Sequence, residues 1–219
     1  MLIKLKKPLK SMRVGLLGSR SDTMLSVFKE KGLHCELISH YSEINNTYDI
    51  VFGSGVYDLV SEKYLELPTY GIVFFHETPL PEGKGNAPLQ WTVENKKLNI
   101  TVTAFKAVKA IDAGAIICQF NVPIYKTDTL SVLEIKRRQG IQGCLKIILE
   151  EMDSGYLLMR DQSGRDSYNP KRTIDDSELD CNKPLIELWD KIRVCDNEKF
   201  PAFFRINNKK IILKYEVEN

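Results

Sequence analysis

The first third of the chain alternates short apolar runs with segments that form helices or turns, and this rhythm excludes most architectures. MRVGLLG (12–18) is a β-like run ending in glycine. In the segment that follows, Ser21 or Asp22 predicts a helix cap, Met24, Leu25, Val27 and Phe28 share one side, and Gly32 marks the stop. HCELIS (34–39) and YDIVFGSG (48–55) predict a second and a third strand, and DLVSEKYLEL (58–67) a helix ended by Pro68. YGIVFF (70–75) is apolar enough to be buried on both faces. Such alternation predicts an α/β fold with a doubly wound, mostly parallel sheet under helices.

Further along, PLQWTVENK predicts a short helix, and LNITVTAFKA (98–107) and AIICQFNVPI (115–124) predict two more strands. Asp128 or Thr129 opens a long helix striped by Leu130, Leu133, Ile141, Leu145, Ile148 and Met152, which reads as core. The α/β domain is expected over 12–153. Residues 154–219 are expected to add a polar linker, a helix at KPLIELWDKIRVC and a hairpin turning at Asn207-Asn208. Residues 1–11 are basic, lack a long apolar core and are broken by Pro8, which predicts a ragged extension and no signal peptide. A net charge of +2 gives no argument for nucleic acid, and no apolar stretch approaches the roughly 20 residues of a membrane span. Five cysteines without a CxxC pair predict free, buried thiols in a reducing cytoplasm, with neither a disulfide framework nor a metal site. His34 and His40 lack ligand spacing and read as structural or solvated.

In an open α/β sheet, ligands bind beyond the carboxyl ends of the strands. Three features fall at that edge. Ser19, Arg20 and Ser21 follow the first strand at a helix N-terminus, where an anion such as phosphate can sit. His76 ends the strand of 70–75 and leads into a loop rich in proline and glycine. Asp112 lies in a tight Asp-Ala-Gly turn. A carboxylate brought beside an imidazole orients it and stabilises its protonated form, so that the imidazole can take a proton from a nucleophile. Equally, a strand-end histidine and a turn aspartate are common structural devices. No serine or cysteine occupies a nucleophile elbow, so direct transfer between two bound substrates fits better than an acyl-enzyme.

HETPLPEGKGNAPLQW followed by ITVTAFKAVKAIDAGAIICQ resembles the formyltransferases that use 10-formyltetrahydrofolate, over roughly residues 12 to 150. The motifs shared are a histidine ending a strand, a Leu-Pro loop with Ala-Pro and Trp after it, and an Asp-x-Gly turn. YNPKRTIDDSELD and the tail resemble the segment after the catalytic domain in methionyl-tRNA and amino-sugar formyltransferases. The resemblance implies a Rossmann-like formyltransferase core with His76 as general base for the substrate amine and Asp112 as the supporting carboxylate. It further implies a folate pocket lined by Gly53, Gly55, Val56 and Tyr57 and by Ala113 and Gly114. The amine attacks the formyl carbon, a tetrahedral oxyanion forms, and tetrahydrofolate leaves.

The family carries asparagine two residues before the histidine, where this chain has Phe74. Losing one oxyanion donor costs about 2.7–4 kcal/mol. Three readings follow: another donor serves (protonated His76, a backbone N–H or Asn86), the enzyme is slow, or the chain binds folate or a nucleotide without catalysis. Lys84 replaces the family arginine, keeping the charge without the planar fork.

Methionyl-tRNA is disfavoured as acceptor by the short tail, glycinamide ribonucleotide by the linker and hairpin, and water by the lack of a regulatory domain. A nucleotide-linked amino sugar, such as dTDP-4-amino-4,6-dideoxyglucose, suits the tail best. Its diphosphate is expected near Ser19, Arg20, Ser21, Lys84 and Asn86. A homodimer through the C-terminal hairpin is expected, with no nucleic-acid or membrane partner.

Overall fold

The computed structural model describes residues 1–218. In chain order its elements are β1 (Leu2–Lys4), β2 (Val14–Leu17), α1 (Ser21–Glu30), β3 (Glu36–Ile38), β4 (Ile50–Gly53), α2 (Glu62–Leu65), β5 (Ile72–His76), β6 (Lys84–Gly85) and α3 (Pro88–Glu94). Then follow β7 (Asn99–Lys106), β8 (Ile116–Pro123), α4 (Leu130–Asp153), β9 (Tyr156–Leu158), β10 (Tyr168–Asn169), α5 (Leu185–Ile192), β11 (Ala202–Ile206) and β12 (Lys209–Leu213).

The central sheet has six strands in the order β3-β2-β4-β5-β7-β8. The first four run parallel, and β7 and β8 extend the sheet antiparallel. Every residue of β2 and β4 is buried, as expected of parallel strands covered on both faces. The larger core lies under α1 and α4, where Leu16, Phe52, Val73, Phe75 and Val102 meet Phe28, Leu133, Ile141, Leu145 and Ile148. A thinner layer of Leu17, Ile38, Val51, Ile72, Val60 and Leu65 closes the opposite face. The tail packs around its own small cluster of Leu179, Leu188, Ile192, Cys195 and Ala202, and Asn207 and Asn208 take the left-handed conformations that turn the hairpin.

Three expectations need correction. Residues 1–11 are not ragged: β1 pairs antiparallel with β9, and Leu5 and Leu9 enter the main core. The helix expected over 58–67 is reduced to α2, because 58–60 is irregular and faces a cleft. The thiols are free, but only Cys144 and Cys195 are buried, and Cys181 is exposed. A hydrogen bond with Cys118, together with burial, pushes the Cys144 thiol far above its ordinary range. His34 and His40 are exposed, and His40 caps the turn at 41–43.

Candidate functional site

β2, β4 and β5 end on one edge of the sheet, and a cleft of about 670 Å³ opens there. This volume lies within the range of small-molecule sites. His76 is the last residue of β5 and is held in register opposite Thr103 of β7. Its ring is 9% exposed. Nε2 lies 2.9 Å from the Gly83 carbonyl oxygen, which only accepts, so Nε2 carries the proton in the neutral ring. Nδ1 therefore holds the free lone pair, and it faces Asp112 Oδ2 at 3.6 Å. A proton taken up on Nδ1 arrives opposite a carboxylate, the arrangement that a general base needs.

Asp112 is fixed just as firmly. Its φ of 50° is left-handed, a conformation that aspartate tolerates in tight turns. The Gly85 N–H donates to Oδ2 at 2.9 Å, and Gln162 donates to the carbonyls of Asp112 and Gly114 at 2.8 and 2.9 Å. A Cβ on Gly114 would stand 1.6 Å from the Lys106 carbonyl oxygen, so only glycine lets this turn lie against β7. Across the cleft, Gly53 serves the Phe74 ring in the same way: a Cβ there would meet the ring at 2.4 Å. Phe74 spends its side chain on that contact and on an edge-on contact with Phe105, with centroids 6.4 Å apart. It places no donor in the cleft.

The predicted site residues divide into two groups. His76, Asp112, Gly53, Gly55, Val56, Tyr57, Arg20 and Asn86 line the cleft. Five others do not. Ser19 Oγ donates to the Gly55 carbonyl at 3.1 Å, and the Ser21 N–H closes a turn on Gly18. Ala113 and Gly114 stand behind Asp112 as the scaffold of its turn. The Lys84 ammonium, expected beside the substrate, is 8% exposed and paired with Asp166 at 3.0 Å.

Two contributions escaped the sequence reading. The polar linker runs back along the active loop: β10 pairs with β6, the Asn169 amide donates to the Gly83 carbonyl at 3.1 Å, and Ser167 Oγ accepts the Gly83 N–H at 2.9 Å. The YNPKR motif was its signal. The other is a charged group on the cleft floor, Glu77, Glu134 and Arg137. Arg137 sits in a Lys-Arg-Arg run, and its residue type does not set it apart from its neighbours.

A family model described as Formyl transferase matches residues 36–148, just over half of the 219 residues, and the chain belongs to that family of enzymes. Among solved structures it is similar to a 4-N formyltransferase from Francisella tularensis, with TM-score 0.76, 17% identity, and 96% of this chain and 99% of that one covered. It is also similar to methionyl-tRNA formyltransferase from Clostridium thermocellum, with TM-score 0.72, 21% identity, and 95% and 94% covered. A third likeness is to HypX from Aquifex aeolicus in complex with tetrahydrofolic acid, with TM-score 0.75 and 18% identity, covering 92% of this chain and 37% of that one. At these identities the likenesses describe the fold. No helix among the described residues is long and apolar enough to cross a membrane.

Proposed function

We propose that this formyltransferase moves a formyl group from 10-formyltetrahydrofolate to the amine of a nucleotide-linked amino sugar, with His76 as base. The observation that carries the reading is the His76 tautomer, with Nε2–H tied to Gly83 and Nδ1 left free toward Asp112 inside the cleft. The cleft also fits a folate. Val56, Tyr57, Leu59, Val60 and Ile111 give a flat ring system apolar contacts near Asp112, and the volume is sufficient. The bound folate would supply the formyl carbonyl; the chain supplies the rest. Nδ1 of His76 takes the amine proton, Asp112 holds the resulting imidazolium in place, and the imidazolium then gives that proton to the departing folate nitrogen as the carbon–nitrogen bond breaks.

Arg20, which lines the cleft beside Gly55, offers a guanidinium for the acceptor's diphosphate. The amino-sugar acceptor draws support from the 4-N formyltransferase likeness, which spans nearly all of both chains. A second reading, transfer to methionyl-tRNA, is supported by the Clostridium likeness over 94% of that chain, so tail length does not separate the two acceptors. The homodimer belongs to the same proposal: α5 and the hairpin leave Leu185, Ile186, Ile206 and Ile211 exposed.

The test is incubation with 10-formyltetrahydrofolate and dTDP-4-amino-4,6-dideoxyglucose, followed by mass spectrometry for a product heavier by one formyl group. His76→Ala is expected to abolish turnover while folate binding survives. Turnover of methionyl-tRNA alone selects the second reading, and no turnover with any amine alongside tight folate binding overturns both.

A further inference from the structure

The floor of the cleft carries charges that the chemistry of His76 leaves unused. Glu77 directly follows the histidine, so its side chain leaves β5 on the opposite face, toward α4. Arg137 of α4 meets it there: the guanidinium Nε lies 3.8 Å from Glu77 Oε1, and Nη2 bonds to Glu134. The Glu77 and Arg137 side chains are 7% and 9% exposed, yet both line the cleft.

The gap between them is too long for a hydrogen bond, and Arg137 Nε has no hydrogen-bond partner among the described residues. Burying two charges is costly unless hydrogen bonds satisfy them, and here the protein supplies none across the gap. Arg137 Nε is closed off from the cleft, so the group left for a ligand is the Glu77 carboxylate, which lines the cleft and calls for a donor. A phosphate oxygen only accepts, whereas an ammonium or a hydroxyl donates.

We propose that Glu77 and Arg137, with Glu134 fixing the guanidinium from the other side, form a pocket that reads a ring hydroxyl of the acceptor. This inference rests on the amino-sugar reading above and deepens it. The reacting amine belongs at His76, on the other face of β5, so the group bound at Glu77 is a different substituent of the same ring. Arg20, which also lines the cleft, is left for the anionic end.

The experiment is calorimetric titration of the full chain with dTDP, dTDP-glucose and dTDP-4-amino-4,6-dideoxyglucose. Wild type is expected to bind both sugar nucleotides roughly 10- to 100-fold tighter than dTDP, the contribution of hydrogen bonds to charged groups. In Glu77→Gln this gain falls to about threefold or less, while dTDP affinity holds and reports an intact fold. Glu77→Leu/Arg137→Met, which replaces the buried pair with apolar side chains and leaves unpaired only the partly exposed Glu134, gives the same loss. An undiminished gain in both variants overturns the pocket and leaves the amino-sugar reading standing. A gain confined to the amine-bearing sugar also overturns it, because Glu77 then reads the amine. Binding of none of the three ligands overturns the amino-sugar reading, and the pocket with it.

Discussion

The Gly83 carbonyl decides what His76 can do. It accepts from His76 Nε2, Thr78 Oγ1 and the Asn169 amide at 2.9, 3.3 and 3.1 Å, so the ring is held at one end and free at the other. Phe74 raises the complementary question of where the oxyanion finds a donor. Of the nearby loop amides, Gly85 N–H is spent on Asp112 and Asn86 N–H on the Asn169 carbonyl. The Asn86 side chain is exposed and lines the cleft. Asn86→Ala is therefore expected to lower kcat on the order of a hundredfold with little change in acceptor KM, the signature of a contact made in the transition state. An unchanged kcat in a steady-state assay would rule out Asn86 as the donor. Phe74→Asn in the Asn86→Ala background is expected to recover part of the loss, at a stability cost of about 2 kcal/mol for the ring contact with Phe105.

The linker behaves as part of the site rather than as a tether, and Lys84 shows it. Its ammonium is buried against Asp166 of the linker instead of facing substrate. Lys84→Met is expected to leave acceptor KM within about twofold while lowering Tm by roughly 2–4 °C, read by thermal melt beside the kinetics. Further on, the Thr173 N–H donates to Asp176 at 2.6 Å and holds that carboxyl below its ordinary range. A depressed carboxyl contributes stability above its unfolded pKa and loses it as pH falls through the folded value. The Tm difference between wild type and Asp176→Asn should thus be present at neutral pH and vanish on the acid side of the carboxylate range. None of this was legible in hydrophobic periodicity. The strands were, because β2, β4 and β5 are continuous buried runs that leave few alternatives. The pairing of His76 with Asp112 was legible only through the order of the motifs in the family resemblance, because a strand-end histidine and a turn aspartate are by themselves common structural devices. Arg137 was not: Lys136, Arg137 and Arg138 look alike in sequence, and only packing turns Arg137 inward while Arg138 reaches the exposed Asp22. Lys84 misled for the same reason, since a buried lysine and a substrate-facing one share a letter.

The assembled fold leaves its apolar surface unevenly spread. α4 packs across β7 and β8, the start of edge strand β8 is bridged at Ile116 to Arg160, and the N-terminus is pinned by β1. The tail is different. Its cluster is small, and Leu185, Ile186, Ile206 and Ile211 stand 66%, 77%, 53% and 39% exposed on α5 and the hairpin. Burying four such side chains against a second copy removes apolar area worth roughly 25 cal/mol per Å², in a region with too little core of its own. A twofold contact through the same patch on both copies is the simplest closed assembly. Light scattering after gel filtration is expected to show a dimer for the wild-type chain. Ile186→Glu/Ile206→Glu, at exposed positions, should give a folded monomer that still binds folate, since no residue of α5 or the hairpin lines the cleft. A wild-type monomer at micromolar concentration, or a dimer that survives both glutamates, would remove the tail from the interface.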